Sequence, residues 1–207
     1  MRFENLQIQL VDTPPIQPDR VESGFSNLVR IADALLLVLD LSGDALFQME
    51  VLQETLTQMR VRIVSKGAFP TVPEGWVHRK GLLLGNKCDL KNAIEEYQAL
   101  ANRYGQEFVL LPLSAKEGMN FEELKREVYQ LLDIIRVYTK VPGREADLSE
   151  PVVLRKESTV GDVALTIHKD FAANLKYARI WGSGKFNGQM VKRDFRLREG
   201  DVIEFHI

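Results

Sequence analysis

Gly81-Leu82-Leu83-Leu84-Gly85-Asn86-Lys87-Cys88-Asp89 decides the fold. The first five residues carry no polar side chain. A run that short, apolar on both alternating sets, reads as a strand buried on both faces, the habit of parallel sheets. The polar residues that follow then fall at the strand's carboxyl end, the edge where doubly wound sheets bind their ligands. Upstream, Ala34-Leu-Leu-Leu-Val-Leu-Asp40 has the same character. Between the two, Leu46, Met49, Leu52, Leu56 and Met59 recur at spacings of three and four, which predicts a helix over 44–60. Residues 61–80, with Gly67, Pro70, Pro73 and Gly75, read as a long loop. Downstream, helix 92–104 starts at a plausible Asn92 cap, and Phe108-Val-Leu-Leu111 is a further strand. Asn120, with Glu123 three residues on, predicts a capping box for a helix carrying Phe121, Leu124, Val128 and Leu131. Strands alternating with helices mean βαβ units and a mostly parallel sheet. At the start, Leu6, Ile8 and Leu10 alternate, so residues 3–11 read as the first strand, stopped by Pro14-Pro15.

The pattern changes after about residue 135. Ile135–Thr139 and Pro151–Leu154 read as strands, and Ser158 or Thr159 caps a helix with Val160, Val163, Ala164, Ile167 and Phe171 on one face. Tyr177–Trp181 and Asp201–Ile207 close as strands. Strands around one helix in about 70 residues fit a small mixed sheet, a ubiquitin-like β-grasp. The expected organisation is a partial α/β domain over 1–134 and a β-grasp over 135–207.

The chain has 207 residues, 27 Lys+Arg against 29 Asp+Glu, and a single Cys88. Those proportions suit a globular protein and exclude a strongly basic nucleic-acid binder at whole-chain level. Charge is uneven: residues 151–207 hold 10 basic and 7 acidic side chains, net +3, and the first 150 are net −5. No apolar run approaches the ~20 residues of a membrane span, the first residues do not resemble a signal peptide, and one Cys gives no disulfide framework. The expectation is a cytoplasmic protein without a membrane partner.

Asn86-Lys87-Cys88-Asp89 suits guanine chemically. A carboxylate at Asp89 accepts from both the N1–H and the exocyclic amine, a donor pair that adenine lacks. Asn86 can tie loops together, and the Lys87 stem can lie over the base. The next strand ends in Ser114-Ala115-Lys116, where a backbone N–H near Ala115 could meet guanine O6 and Lys116 could cover the other face of the base. Asp12, at the end of the expected first strand, would hold Mg²⁺ through a water. None of His78, His168 and His206 has a partner at ligand spacing.

Together, Asp12-Thr-Pro-Pro, Asn86-Lys-Cys-Asp and Ser114-Ala-Lys resemble the third, fourth and fifth motifs of a translation-factor-class GTPase. The last 70 residues are similar to a TGS domain. Ile135-Arg-Val-Tyr-Thr-Lys140, Ser149-Glu-Pro-Val-Val-Leu154, Ile167-His-Lys169 and Leu175–Gly182 closely resemble the Obg-related, developmentally regulated GTP-binding (DRG) proteins. The resemblance implies a P-loop GTPase-type doubly wound sheet followed by an α+β TGS domain. It implies GTP or GDP with Mg²⁺ as cofactors of a complete protein, and RNA, ribosome or protein contact through the TGS part. The basic candidates for that contact are Lys169, Lys176, Arg179, Lys185, Lys192 and Arg193. The family also has a hydrophobic residue where many GTPases place a water-orienting Gln; here it is Ile16.

The sequence departs from the family in two places. Gly-x-x-x-x-Gly-Lys-Ser/Thr occurs nowhere, and the tempting Gly182-Ser-Gly184-Lys185 has Arg179 and Phe186 at the required Gly and hydroxyl positions, so it reads as a hairpin turn. Only 11 residues precede Asp12, against the roughly 50 that a strand, phosphate loop, helix and switch would need. Pro15 stands where an N–H usually meets the γ-phosphate, and proline has none. The expectation is an incomplete GTPase domain that binds GTP or GDP weakly and does not hydrolyse GTP, with exposed sheet faces that favour self-association. The alternative is a non-catalytic interaction module whose GTPase-like part serves as scaffold.

Overall fold

The computed structural model describes residues 1–16, 23–67 and 69–207; the sequence reads as a polar loop from Pro14-Pro15 to about Gly24, and residues 17–22 of it lie outside the described residues. In chain order the elements are β1 (Arg2–Phe3), β2 (Leu6–Gln7), α1 (Ser23–Ile31), β3 (Ala34–Asp40), α2 (Ala45–Gln58), β4 (Val61–Val64), β5 (Val77–Asn86) and α3 (Ala93–Tyr104). There follow β6 (Leu110–Pro112), α4 (Phe121–Leu132), β7 (Ile134–Lys140), β8 (Val152–Arg155), α5 (Val160–Ile167), α6 (Lys169–Asn174), β9 (Tyr177–Trp181), β10 (Gln189–Val191) and β11 (Val202–His206). They form two compact units, residues 9–132, and residues 133–207 together with 1–8.

The first unit is a parallel sheet built on β5. β3 lies along one side, in register from Ala34↔Lys80 to Asp40↔Asn86. β4 and β6 pair with successive stretches of β5, at Val77–Lys80 and Leu83–Gly85. Leu82, Leu83 and Leu84 are all buried, as an all-apolar central strand requires. Leu83 joins Leu37, Leu39, Met49, Leu52, Leu56 and Leu100 in a core roofed by α2 and α3, and α4 also packs against β5. Asp44 caps α2 by accepting from the Phe47 N–H at 2.9 Å.

Several sequence expectations need correction here. The 61–80 segment is not all loop: Val61 and Ile63 alternate onto the core while Arg62 points outward, and that alternation makes β4. Asn92 makes no side-chain capping bond. Asn120 adopts φ 62° and turns its amide back to donate to the Pro112 carbonyl at 2.8 Å. The strand expected over 3–11 is instead a hairpin, Arg2↔Gln7 and Phe3↔Leu6, followed by a strandless stretch to Ile16. Of the alternating set, Leu6 is buried while Leu10 is 53% exposed. Turn residues override the alternation: Glu4 has φ 49°, and Asn5 donates to the Tyr138 hydroxyl at 2.8 Å. Residues 1–8, expected with the first domain, therefore belong to the β-grasp unit.

That second unit has the five-stranded order β10-β9-β11-β7-β8, with β11 parallel to β7 and the other neighbours antiparallel. One sheet face packs Ile135, Val137, Ala178, Ile180 and Ile203 against Val160, Val163 and Ala164 of α5. Thr159 and Asp162 form a reciprocal capping box at the start of α5. The expected single helix stops at His168, which is extended (φ −166°, ψ 144°), and Phe171 sits on the separate α6 with its ring edge-on to Phe205. Gly182–Lys185 lies in the loop joining the antiparallel β9 and β10. Its anchor is Asp201, 1% exposed, which accepts from the Ser183 N–H (2.7 Å), the Ser183 hydroxyl (2.7 Å) and the Arg198 N–H (2.8 Å). Among the described residues, no helix is long and apolar enough to cross a membrane.

Candidate functional site

The register brings three strand ends level. Asp40 of β3 pairs with Asn86 of β5, and the adjacent Gly85 pairs with Pro112 of β6. Each strand leaves that edge with a polar segment: Asp40-Leu-Ser42, Asn86-Lys-Cys-Asp89 and Ser114-Ala-Lys116. Lys87 turns the chain out of the strand at φ 66°, a left-handed conformation that only surrounding bonds hold for a non-glycine residue. Those bonds are the Leu41 N–H to the Asn86 carbonyl (3.0 Å), Cys88 N–H to the Leu113 carbonyl (3.0 Å) and Leu90 N–H to the Lys87 carbonyl (3.1 Å).

Asn86 joins the two recognition loops, its side-chain oxygen accepting the Ala115 N–H at 3.0 Å. The Ala115 N–H is thus engaged within the protein, in a bond by which the Asn86 amide ties the two loops together. Ser114 is fully buried, accepts from the Glu117 N–H at 3.1 Å, and is bridged to Met119. The Ser114 side chain also hydrogen-bonds Asp89 and, with the nearby Lys116 and Lys87 charges, holds that exposed carboxyl below its ordinary range. Like any exposed carboxylate, Asp89 is an acceptor-only group near neutral pH. Lys116 projects into solvent beside Glu117. Burial and then the Asp89 charge push the Cys88 thiol up, so Cys88 behaves as a half-buried filler rather than a nucleophile.

The structure does not place Asp12 on a strand. It is exposed, in the segment after β2, and its carboxylate accepts the Thr13 N–H at 3.0 Å. Among the described residues no three His, Cys, Asp or Glu side chains gather as a metal site. One exposed carboxylate does not fit a Mg²⁺ site by itself.

On the β-grasp, Lys169, Lys176, Arg179, Lys185, Lys192 and Arg193 are all exposed, spread over α6, the entry to β9, β9 itself, the β9–β10 loop and the segment after β10. Sequence reasoning missed the polar group beside Arg179. Glu204, 6% exposed, receives Lys140 at 3.1 Å and His206 at 2.8 Å. Lys140 lies 4.3 Å over the half-buried Trp181 ring, and His206 stacks on Tyr177 at 4.4 Å. Trp181 is thus a platform on the sheet face opposite α5, not a core residue. Also missed was Asp40, whose signal was an acid and a hydroxyl directly after an apolar strand.

The fold and the site define a parallel α/β unit with Asn-Lys-x-Asp and Ser-Ala-Lys at its carboxyl edge, joined to a β-grasp, a fold shared with solved GTP-binding proteins. Residues 135–207 match the TGS domain. The chain is 37% identical over 132 residues to an uncharacterized GTP-binding protein of Methanocaldococcus jannaschii, covering 61% of this chain and 33% of the relative. It is 38% identical over 96 residues to developmentally-regulated GTP-binding protein 1 of Xenopus laevis, covering 45% and 26%. The chain thus spans about a third or less of the length of these relatives. Two solved structures share the fold: a GTP-binding protein from Pyrococcus horikoshii (TM-score 0.60, 17% identity, 96% of this chain and 89% of that one) and the Schizosaccharomyces pombe YchF GTPase (0.61, 14%, 89% and 75%). The chain is thus similar to GTP-binding proteins, and its residues 135–207 match the TGS domain.

Proposed function

We propose that the α/β unit is a guanine-recognition element and that the β-grasp is its partner-facing domain. The observation that carries this reading is the level set of strand ends, in which Asn86 fixes the Ser114–Lys116 segment and the exposed Asp89 carboxylate follows directly on the end of β5. Asp89 accepts from the guanine N1–H and exocyclic amine, and the stems of Lys87 and Lys116 cover the base. These 207 residues lack Gly-x-x-x-x-Gly-Lys-Ser/Thr. Since phosphate contacts supply much of a nucleotide's affinity, binding is weak and GTP is not hydrolysed by this polypeptide alone. Asp12 would assist Mg²⁺ only where phosphates complete the site.

Titration with GDP, ADP and xanthosine diphosphate, followed through the amide signals of Asn86–Asp89 and Ala115, tests the reading. GDP is expected to perturb them at millimolar concentration and ADP is not. Asp89→Asn should shift preference to the xanthine base, whose C2 carbonyl accepts from an amide. Equal responses to GDP and ADP would refute guanine selection.

For the β-grasp, the exposed basic residues and the Trp181 platform support RNA contact at or near the ribosome. RNA retention that falls steeply with salt supports it. Retention unchanged after charge reversal of Lys169, Lys176 and Arg179 together removes those residues and favours a protein partner, the interaction-module reading. The lone Cys88 suits a reducing cytoplasm. Val38, 56% exposed on the outermost strand β3, supports self-association through the α/β unit. A monodisperse monomer in light scattering would count against it.

A further inference from the structure

We infer that Asp40, seconded by Ser42, is a positioning residue for guanine binding: it holds the Lys87 side chain in place at the base site before a nucleotide arrives. The inference rests on the guanine reading above and assigns a role to a residue outside the three recognition motifs.

The geometry is specific. Lys87 Nζ donates to Asp40 Oδ2 at 2.5 Å and to Ser42 Oγ at 3.2 Å. The other oxygen, Oδ1, accepts from the Ser42 N–H (2.8 Å) and hydroxyl (2.6 Å), so the carboxylate cannot swing away from the lysine without breaking those bonds. Its backbone is fixed as well. The Gln48 side chain accepts the Asp40 N–H at 2.8 Å and donates to the Asp40 carbonyl at 2.9 Å. Burial alone would raise the Asp40 pKa, but the Lys87 and Ser42 hydrogen bonds outweigh it and hold the carboxyl ionised.

Burial separates a folding role from a binding role. The side chains are 47% and 43% exposed, and ion pairs that open to water contribute little to stability. What the pair does supply is order. A lysine stem carries as much rotamer freedom as any side chain, and a stem ordered beforehand does not lose that freedom when the base binds. Lys87 leaves the backbone at φ 66°. That conformation and the Asp40 clamp together fix both ends of the stem, at the strand edge that also carries Asp89.

The first measurement needs no nucleotide. Carbon-13 relaxation at the Lys87 ε-methylene of the full chain is expected to report restricted motion, compared with the 84%-exposed Lys116, and Asp40→Asn should release it. The second is GDP affinity by chemical-shift titration of wild type, Asp40→Asn, Lys87→Ala and the double variant. Asp40→Asn is expected to weaken GDP about tenfold, with the melting temperature nearly unchanged. The double variant should bind no worse than Lys87→Ala, because Asp40 acts only through Lys87. Ser42→Ala should give a smaller loss in the same direction. A Lys87 as mobile as Lys116 overturns the inference, as does an Asp40→Asn variant with wild-type GDP affinity, and the guanine reading survives either result. Wild type that ignores GDP at millimolar concentration overturns both. A loss in Asp40→Asn matched by a large fall in melting temperature assigns Asp40 to folding and also overturns it.

Discussion

Asp201 of the β-grasp gives a quantitative test of how a loop without regular structure is held. Its three hydrogen bonds come from a residue 18 positions away and one only three away, all onto a side chain 1% exposed. In Asp201→Asn the amide oxygen can take the Oδ2 position and keep the Ser183 hydroxyl and the Arg198 N–H. The amino group then faces the Ser183 N–H, donor against donor. One charge-assisted bond is lost and two donors are left facing each other. At about 1.5–3 kcal/mol for the bond, with a further cost for the buried orphan, the loss should be about 3 kcal/mol. A unit of this size shifts by about 4–8 °C per kcal/mol, so the β-grasp transition should fall by roughly 12–24 °C. Alanine should cost about 4 kcal/mol, because it abandons all three donors. Repacking is not available at Gly182 (φ 128°), where a Cβ would come within 2.4 Å of the Asp201 carboxylate. Thermal unfolding followed by Trp181 fluorescence in a Trp76→Phe background, with calorimetry to resolve the α/β unit, reads the effect. A fall of less than about 4 °C for Asp201→Asn would refute the reasoning.

Other outcomes follow from packing and charge. Gly81→Ala would bring a Cβ to 2.3 Å from Ile63 Cγ2, so it should destabilise the α/β unit by about 1–3 kcal/mol, and Ile63→Ala, which removes that methyl, should cost less in the Gly81→Ala background than in the wild type in denaturant unfolding. Glu204→Gln should cost the β-grasp about 2 kcal/mol at neutral pH. Burial opposes the charge of Glu204, but Lys140 and His206 overcome it and hold the folded pKa below the ordinary 4.5. That stability is present above about pH 4.5 and is lost as pH falls through the depressed folded value, so the two proteins should converge in acid. Denaturant midpoints from pH 7 to 3 check this, and a gap that widens in acid would contradict it. Arg136→Ala removes the side-chain ties to Glu4, Asn5 and Glu199, leaving only the backbone N–H on Glu199, and should free the β1–β2 hairpin, seen as rapid amide exchange at Ile8, whose N–H donates to the Met1 carbonyl.

The parallel unit was legible because its strands carry their own signature. Ala34–Asp40 and Gly81–Gly85 contain almost nothing but apolar residues, and the recognition loops follow them directly. β4 was hidden because four residues amid prolines and glycines show too little alternation to outvote the loop signal. The first strand failed in the opposite way, since its alternation was real but turn chemistry at Glu4-Asn5 decided the local path. At the candidate site, side chains within the motifs could be named from sequence. Asp40 could not, because its role depends on a register, Asp40↔Asn86, that joins residues 46 apart. The same holds for Glu204 with Lys140, which meet only when β11 pairs with β7.

That pairing constrains how the protein can be made. β11, the last strand of these 207 residues, is the middle strand of its sheet, flanked by β9 and β7. A growing chain emerges amino end first, and domains form as soon as their segments are available. The four described strands of the α/β unit, β3 to β6, have all emerged once β6 is made. The β-grasp differs: until Val202–His206 clears the ribosome, β7 and β9 have no common neighbour, and Ala178, Ile180 and Val137 have no closed core to enter. Its assembly therefore waits on Val202–His206, and a ribosome stalled before that segment has emerged would carry an open half-sheet.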